Sequence, residues 1–131
     1  VRELSLEDHV VFLGWITEPE KSLILKNSEV FAMTPTTVGE SVEGFGMAFI
    51  DAAFHGIPSV GSRSGGISDA IIENETGLLA EAGNQEEITK KLTELLDNSE
   101  LRTKLGKRGR EIAESQYSWD NKIIEYLEAA N

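Results

Sequence analysis

Val30-Phe31-Ala32-Met33-Thr34-Pro35, then Val42-Glu43-Gly44-Phe45-Gly46-Met47, then His55-Gly56-Ile57-Pro58-Ser59-Val60-Gly61 mark out a strand, a helix start and a second strand in succession. The run Val30 to Met33 is apolar throughout, as a strand buried on both faces must be, and it stops at Thr34-Pro35 because proline cannot donate to a ladder. A polar, glycine-containing loop, Thr36 to Gly44, follows. Gly46 to His55 then carries Met47, Ile50, Ala53 and Phe54 at helical spacing, and Gly56 ends the helix. Pro58 to Gly61 is a very short strand.

The same alternation extends outward on both sides. Upstream, Val10-Val11-Phe12-Leu13 is a short apolar block closed by Gly14, expected as the first strand, and Glu18 to Lys26 is a helix with Pro19 near its start. Downstream, Gly65-Gly66 opens a helical stretch from Ile67 to Ile72, and Gly77-Leu78-Leu79-Ala80 is the fourth expected strand. After Ala80 only helices remain. Asn84 and Glu87 have capping-box spacing, with each side chain expected to satisfy a first-turn backbone donor, and Ile88, Leu92, Leu95 and Leu96 make the buried stripe. Ser99 starts a helix with Leu101, Leu105 and Ile112 inward, and Ser118 caps another with Trp119, Ile123 and Leu127. Strands alternating with helices predict an α/β fold, a Rossmann-like doubly wound parallel sheet. Ligands of such sheets sit outside the carboxyl ends of the strands, which directs attention to the loops after Leu13, Met33 and Val60.

The chain has 131 residues, with 12 Lys and Arg against 23 Asp and Glu, for a formal charge of −11. A domain of this length removes roughly two-thirds of its unfolded surface from water, enough for one core. The acidic balance repels phosphate backbones and no basic stripe interrupts it, so nucleic acid is not expected as a partner. There is no cysteine, which excludes disulfides, thiolate metal sites and thiol nucleophiles. No apolar run reaches the roughly 18 residues of a spanning helix, and no basic-then-apolar leader opens the chain. The expectation is a soluble, cytoplasmic protein, with peripheral contact to the inner membrane open for an intact parent.

The stretch with most chemical content is Val42 to Met47. Glycines on both sides of Phe45 let the backbone approach a ligand, and a helix beginning at Gly46 presents unpaired N–H groups with partial positive charge. Such a place suits an anion, a diphosphate among them; a plain glycine turn capping a helix accounts for the same residues equally well. Glu43 precedes the glycines, and seven residues separate it from Asp51. Two acids in an acidic chain are most often solvated surface groups, so the pair gains meaning only from its company. His9 and His55 are too isolated to make a metal site, and His55 reads as a helix-end residue; Arg63 fits a phosphate contact and, at least as well, a solvated loop arginine, and Trp119 reads as core or interdomain packing rather than a stacking platform.

Four blocks in register, Glu43-Gly44-Phe45-Gly46 with its acid at Asp51, His55 to Val60, Ser64-Gly65-Gly66-Ile67-Ser68-Asp69, and Thr76-Gly77-Leu78-Leu79, resemble the donor-binding half of family-4 retaining glycosyltransferases of the GT-B fold. The likeness runs from Val10-Val11-Phe12-Leu13-Gly14 to Tyr117-Ser118-Trp119. It implies transfer of a sugar from a nucleotide diphosphate sugar to an acceptor with retention of configuration, without a catalytic metal and with the nucleotide sugar as co-substrate rather than a cofactor. Glu43 matches the first acid of the E-x7-E motif, beside the donor sugar, and is assigned sugar positioning and electrostatic support of the reacting centre. Phe45, Gly46 and Met47 are implied to offer backbone N–H groups to sugar hydroxyls and diphosphate. The second acid, which holds the ribose hydroxyls, is here Asp51, one methylene shorter than glutamate. Ser64, Gly65 and Gly66 match the glycine loop near the donor cleft, and Gly14-Trp15-Ile16, with Lys21 nearby, matches the loop under the base.

A six-stranded domain of this family begins with two strand-helix units upstream of Val10, so four of six strands are expected in this chain. Residues 1–131 are read as a single partial nucleotide-sugar-binding domain, the C-terminal half of a GT-B fold, lacking the upstream strands and the N-terminal acceptor domain. Two expectations follow: a chain that, folding alone, either repositions its first strand or forms a homo-oligomer through unpaired strand edges, and no turnover from this polypeptide alone. The competing readings are a glycogen or starch synthase-like enzyme, a nucleotide-sugar epimerase-like enzyme, and a non-catalytic α/β module that offers its acidic surface to a protein partner.

Overall fold

The structure, a computed structural model, describes residues 1–36, 44–118 and 123. Its sheet has three parallel strands, β1 (Phe31–Met33), β2 (Ser59–Arg63) and β3 (Gly77–Glu81), in the order β1-β2-β3. Phe31 lies opposite Ser59, and Ser59 in turn opposite Gly77. Helix α1 (Glu18–Lys26) precedes the sheet, α2 (Met47–Phe54) and α3 (Ile67–Ala70) connect its strands, and α4 (Gln85–Asp97) and α5 (Ser99–Gln116) follow it.

Successive strand residues point to opposite faces, and the core divides accordingly. On one face Phe49, Ile67, Ile71 and Leu79 pack together with Phe31, Met33 and Ala70. On the other, Val60, Leu78, Leu95 and Leu105 pack with Val30, Leu92 and Leu101. Adjacent positions such as Leu78 and Leu79 thus serve different layers, which is why these strands read as continuous apolar runs. Phe31 and Phe49 meet edge to face at 5.4 Å between ring centroids, joining β1 to α2.

Three of the four expected strands form. Val10 to Leu13 is not a strand: Val11 and Phe12 are 79% and 82% exposed, and Trp15 beyond them is 98% exposed. A strand exists only through its ladder, and in a doubly wound sheet this segment pairs with strands that precede it. The residues before it form two single-turn 3-10 segments, Arg2–Leu4 and Glu7–His9. The sheet order found is therefore the later half of a doubly wound sheet.

Helix boundaries follow local chemistry. Thr17 caps α1, its N–H and hydroxyl both donating to the Glu20 carboxylate at 2.8 and 2.7 Å. That backbone bond, with the hydroxyl second, holds the Glu20 carboxyl below its ordinary range. Asn84 caps α4 by accepting from the Glu87 N–H at 3.1 Å. The expected reciprocal half of that box is absent, because Glu87 reaches past Asn84 to the N–H of Glu81 in β3, 2.9 Å away. Leu96 is exposed rather than part of the buried stripe of α4, where Leu95 is the buried residue. The helix expected after Ser118, with Trp119 and Leu127, falls on residues outside those described, apart from an exposed Ile123.

Candidate functional site

Helix α2 begins at the carboxyl end of the sheet, and its start is set by one residue. Gly46 adopts φ +78°, a left-handed conformation that side chains avoid, and a Cβ there would also stand 2.8 Å from the Phe49 ring. No side chain caps the helix and no acid lies in its first turn. Phe49 N–H turns back to the Gly46 carbonyl at 2.9 Å, and the preceding amides of Met47 and Ala48 belong to the orphan donors of a helix start. Positive potential is concentrated there with no carboxylate in that turn to cancel it.

The loop Ser64-Gly65-Gly66 comes up against this bend. A Cβ on Gly66 would stand 1.9 Å from the carbonyl oxygen of Gly44 and 3.2 Å from the Cα of Phe45, so the two backbones touch where a side chain cannot fit. Gly65 is left-handed at φ +55°. Ser64 is buried, its N–H donating to Ser62 and its carbonyl accepting from Ile67. Two blocks separated in sequence thus form one surface, as their shared position after successive strands predicts. The Phe45 ring packs on Tyr117, at the end of α5, with centroids 5.7 Å apart, so Phe45 anchors the bend by its ring.

Met47, Asp51 and His55 stand four residues apart, in one row along α2. That row meets α1. Lys21 Nζ donates to Asp51 Oδ2 at 2.8 Å and also pairs with Glu18 at 2.8 Å. These two carboxylates, Asp51 first, hold the Lys21 ammonium above its ordinary range. One residue along, the Ser22 hydroxyl and His55 Nε2 are 2.8 Å apart, and His55 Nδ1 is 2.8 Å from the Asp51 carbonyl. A carbonyl only accepts, so Nδ1 carries a proton and donates to it.

The site residues expected from sequence therefore come to two neighbouring places on α2. Gly46, Met47 and the backbone of Phe45 meet Ser64, Gly65 and Gly66 at the start of the helix; Asp51 meets Lys21 on its side. Ile16 is half-buried in the turn leading to α1, after a left-handed Gly14 at φ +63°. Glu43 lies outside the described residues. Arg63 ends β2, where it pairs with Glu73 at 2.8 Å and Glu81 at 3.3 Å. The roles of Ser22, His55 and Tyr117 were not read from the sequence. The row at 47, 51 and 55 was the available signal for the histidine; Ser22 and Tyr117 meet their partners only through the fold.

A family model for glycosyl transferases group 1 matches residues 1–112. The chain is 30% identical over 130 residues to a GDP-mannose-dependent alpha-(1-6)-phosphatidylinositol monomannoside mannosyltransferase of Mycobacterium tuberculosis, covering 95% of this chain and 34% of that protein. Among solved structures, a sucrose-phosphate synthase from Thermosynechococcus elongatus superposes with a TM-score of 0.81 at 26% identity, over 99% of this chain and 33% of that one. The fold of Anabaena HepE, crystallised with UDP-glucose, also matches, with a TM-score of 0.83 at 20% identity over 99% and 35% of the two chains. The chain thus spans about a third of the length of these proteins. With four sequence blocks in register, a parallel sheet in the later order of a doubly wound fold and a family match over most of its length, the chain belongs to the glycosyl transferases group 1 family and forms part of a GT-B fold.

Proposed function

We propose that this chain is the donor-binding part of a retaining hexosyltransferase that uses a nucleotide diphosphate sugar. The observation that carries the reading is the junction of the α2 start with the Ser64 to Gly66 loop, where Gly66 touches Gly44 backbone to backbone. Amide dipoles fixed in that junction stabilise negative charge with little reorganisation as the glycosidic bond breaks and the diphosphate departs. Phe45, Gly46 and Met47 supply the main-chain donors, and the Ser64-Gly65-Gly66 backbone walls the site. Glu43, just before the bend, orients the sugar and supports positive charge developing at the anomeric carbon. Asp51 takes the ribose hydroxyls, and the turn through Ile16 lies under the base. The UDP-glucose complex of the HepE structure supports a nucleotide sugar as the ligand class. Turnover in this reading needs an acceptor site beyond these residues, so labelled donor and acceptor added to the chain alone yield no transfer.

Calorimetry with UDP-, GDP- and ADP-sugars tests the reading. One of them should bind saturably, and Glu43→Ala should weaken it by about 1.5–3 kcal/mol, on the order of tenfold or more. Failure of every nucleotide sugar to bind would instead favour a non-catalytic module.

A further inference from the structure

Phe45 stands between Gly44 and Gly46, so the bend at the start of α2 is flanked by the two residues that constrain a backbone least. Gly66 abuts it on one side, and the Phe45 side chain is its other anchor. That ring is half-buried and meets the Tyr117 ring at 5.7 Å between centroids, tilted by 54°, a favourable separation for an aromatic pair. Tyr117 is carried there by the way α5 packs on α2. A Cβ on Gly106 would stand 2.1 Å from the Gly56 carbonyl oxygen, and one on Gly109 would lie 3.6 Å from the Cβ of Ala53. The contacts Gly106 to Gly56, Gly109 to Ala53 and Tyr117 to Phe45 therefore run in opposite directions along the two helices, and α5 brings its last residue to the first turn of α2. The Tyr117 N–H closes α5 on the Ala113 carbonyl at 2.9 Å, which fixes the base of the ring. Tyr117 also lines a cleft of about 270 Å³ with Asp69 and Ala70 of α3. Asp69 in turn donates its N–H to the Gly66 carbonyl at 3.0 Å. Loss of the Tyr117 ring would join this cleft to the space under Phe45 and leave the bend unsupported.

We propose that Tyr117 is a positioning residue for the donor site: by holding the Phe45 ring it fixes the main-chain N–H groups of Phe45, Gly46 and Met47 before a diphosphate arrives. The proposal rests on the donor-site reading above and extends it to the far end of α5. Donors fixed in advance leave less ordering to be done on binding, so the ring raises affinity without touching the ligand. Freedom regained at about one backbone position corresponds to roughly tenfold in affinity.

The test combines calorimetry of the chain with UDP, GDP and ADP and amide order parameters of the nucleotide-free chain. Tyr117→Ala should weaken whichever nucleotide wild type binds by about tenfold and lower the order parameters of Phe45, Gly46 and Met47. Tyr117→Phe, which keeps the ring, should match wild type in both, and Tyr117→Leu, which keeps apolar volume alone, should fall between. Leu105→Val loosens α5 where it packs on the opposite face of the sheet; it should lower Tm and leave affinity within about twofold. Wild-type affinity in Tyr117→Ala, or in Tyr117→Leu if the alanine variant does not fold, would overturn the positioning role and leave the donor site standing. So would unchanged order parameters in the bend, a loss in Tyr117→Phe as large as in Tyr117→Leu, or a tenfold loss in Leu105→Val. Absence of any nucleotide binding by wild type would overturn the donor-site reading, and the positioning role with it.

Discussion

Gly66 joins the two halves of the site, and its constraint is steric. An added methyl would lie 1.9 Å from the Gly44 oxygen, a main-chain atom with no rotamer to yield. Gly66→Ala is expected to lower stability by about 1–3 kcal/mol, the usual cost of overpacking, and to weaken nucleotide binding by parting the loops. Urea unfolding and calorimetry on the same preparation check both. Lys21 makes a prediction of a different kind. Its ammonium is held above the ordinary value of 10.5, first by Asp51 and then by Glu18. A group raised in the folded state stabilises fully below its unfolded value and loses that contribution as pH rises through the folded one. The difference in Tm between wild type and Lys21→Met is therefore expected to be constant near neutrality and to shrink above about pH 10.4. A difference that grows with alkalinity would contradict the ion pair.

Strand β3 lies at one edge of the sheet, and its outward groups are met by the chain's own residues. The Leu79 N–H donates to Glu73 at 3.1 Å, the Glu81 N–H to Glu87 at 2.9 Å, and the Gly77 carbonyl accepts from Asn74 at 2.9 Å. These are alternate residues, the ones whose main-chain groups point away from β2. Arg63 and Lys91 balance Glu73 at 2.8 and 3.6 Å. An open edge is a template for association, so this closure protects the molecule as well as stabilising it. Glu73→Ala should cost about 1–3 kcal/mol through the lost charge-assisted bond and should promote association, read from the urea midpoint and from light scattering. Nothing local marked Glu73 for this role, since its partner is six residues on and reachable only after the chain has turned into β3. The elements themselves were legible where local chemistry fixed them: α1 from Pro19 and its apolar run, α2 from the glycine on each side. Val10 to Leu13 was misread because apolarity reports suitability for a strand, whereas the ladder that makes one depends on neighbours elsewhere in a sheet.

Across the whole molecule, the face carrying α2 and α3 and the carboxyl ends of β1 and β2 converge on one small region. The family likeness was legible because its four blocks are constrained by main-chain geometry, which leaves glycine in fixed places: Gly46 for its left-handed turn, Gly66 for its contact with Gly44. Side-chain partnerships between helices were not legible. Lys21 and Asp51 are separated by 30 positions, and only the packing of α1 on α2 shows that one holds the other. The most direct measurement of the central claim is the amide resonance of each residue in the isotopically labelled chain, followed as a nucleoside diphosphate is added. The amides of Phe45 to Ala48 and of Gly65 to Ile67 should move together along one saturating curve, while those of the capped β3 edge stay still. Saturable shifts confined to other surfaces, with those two loops unmoved, would show that the pyrophosphate is held somewhere else.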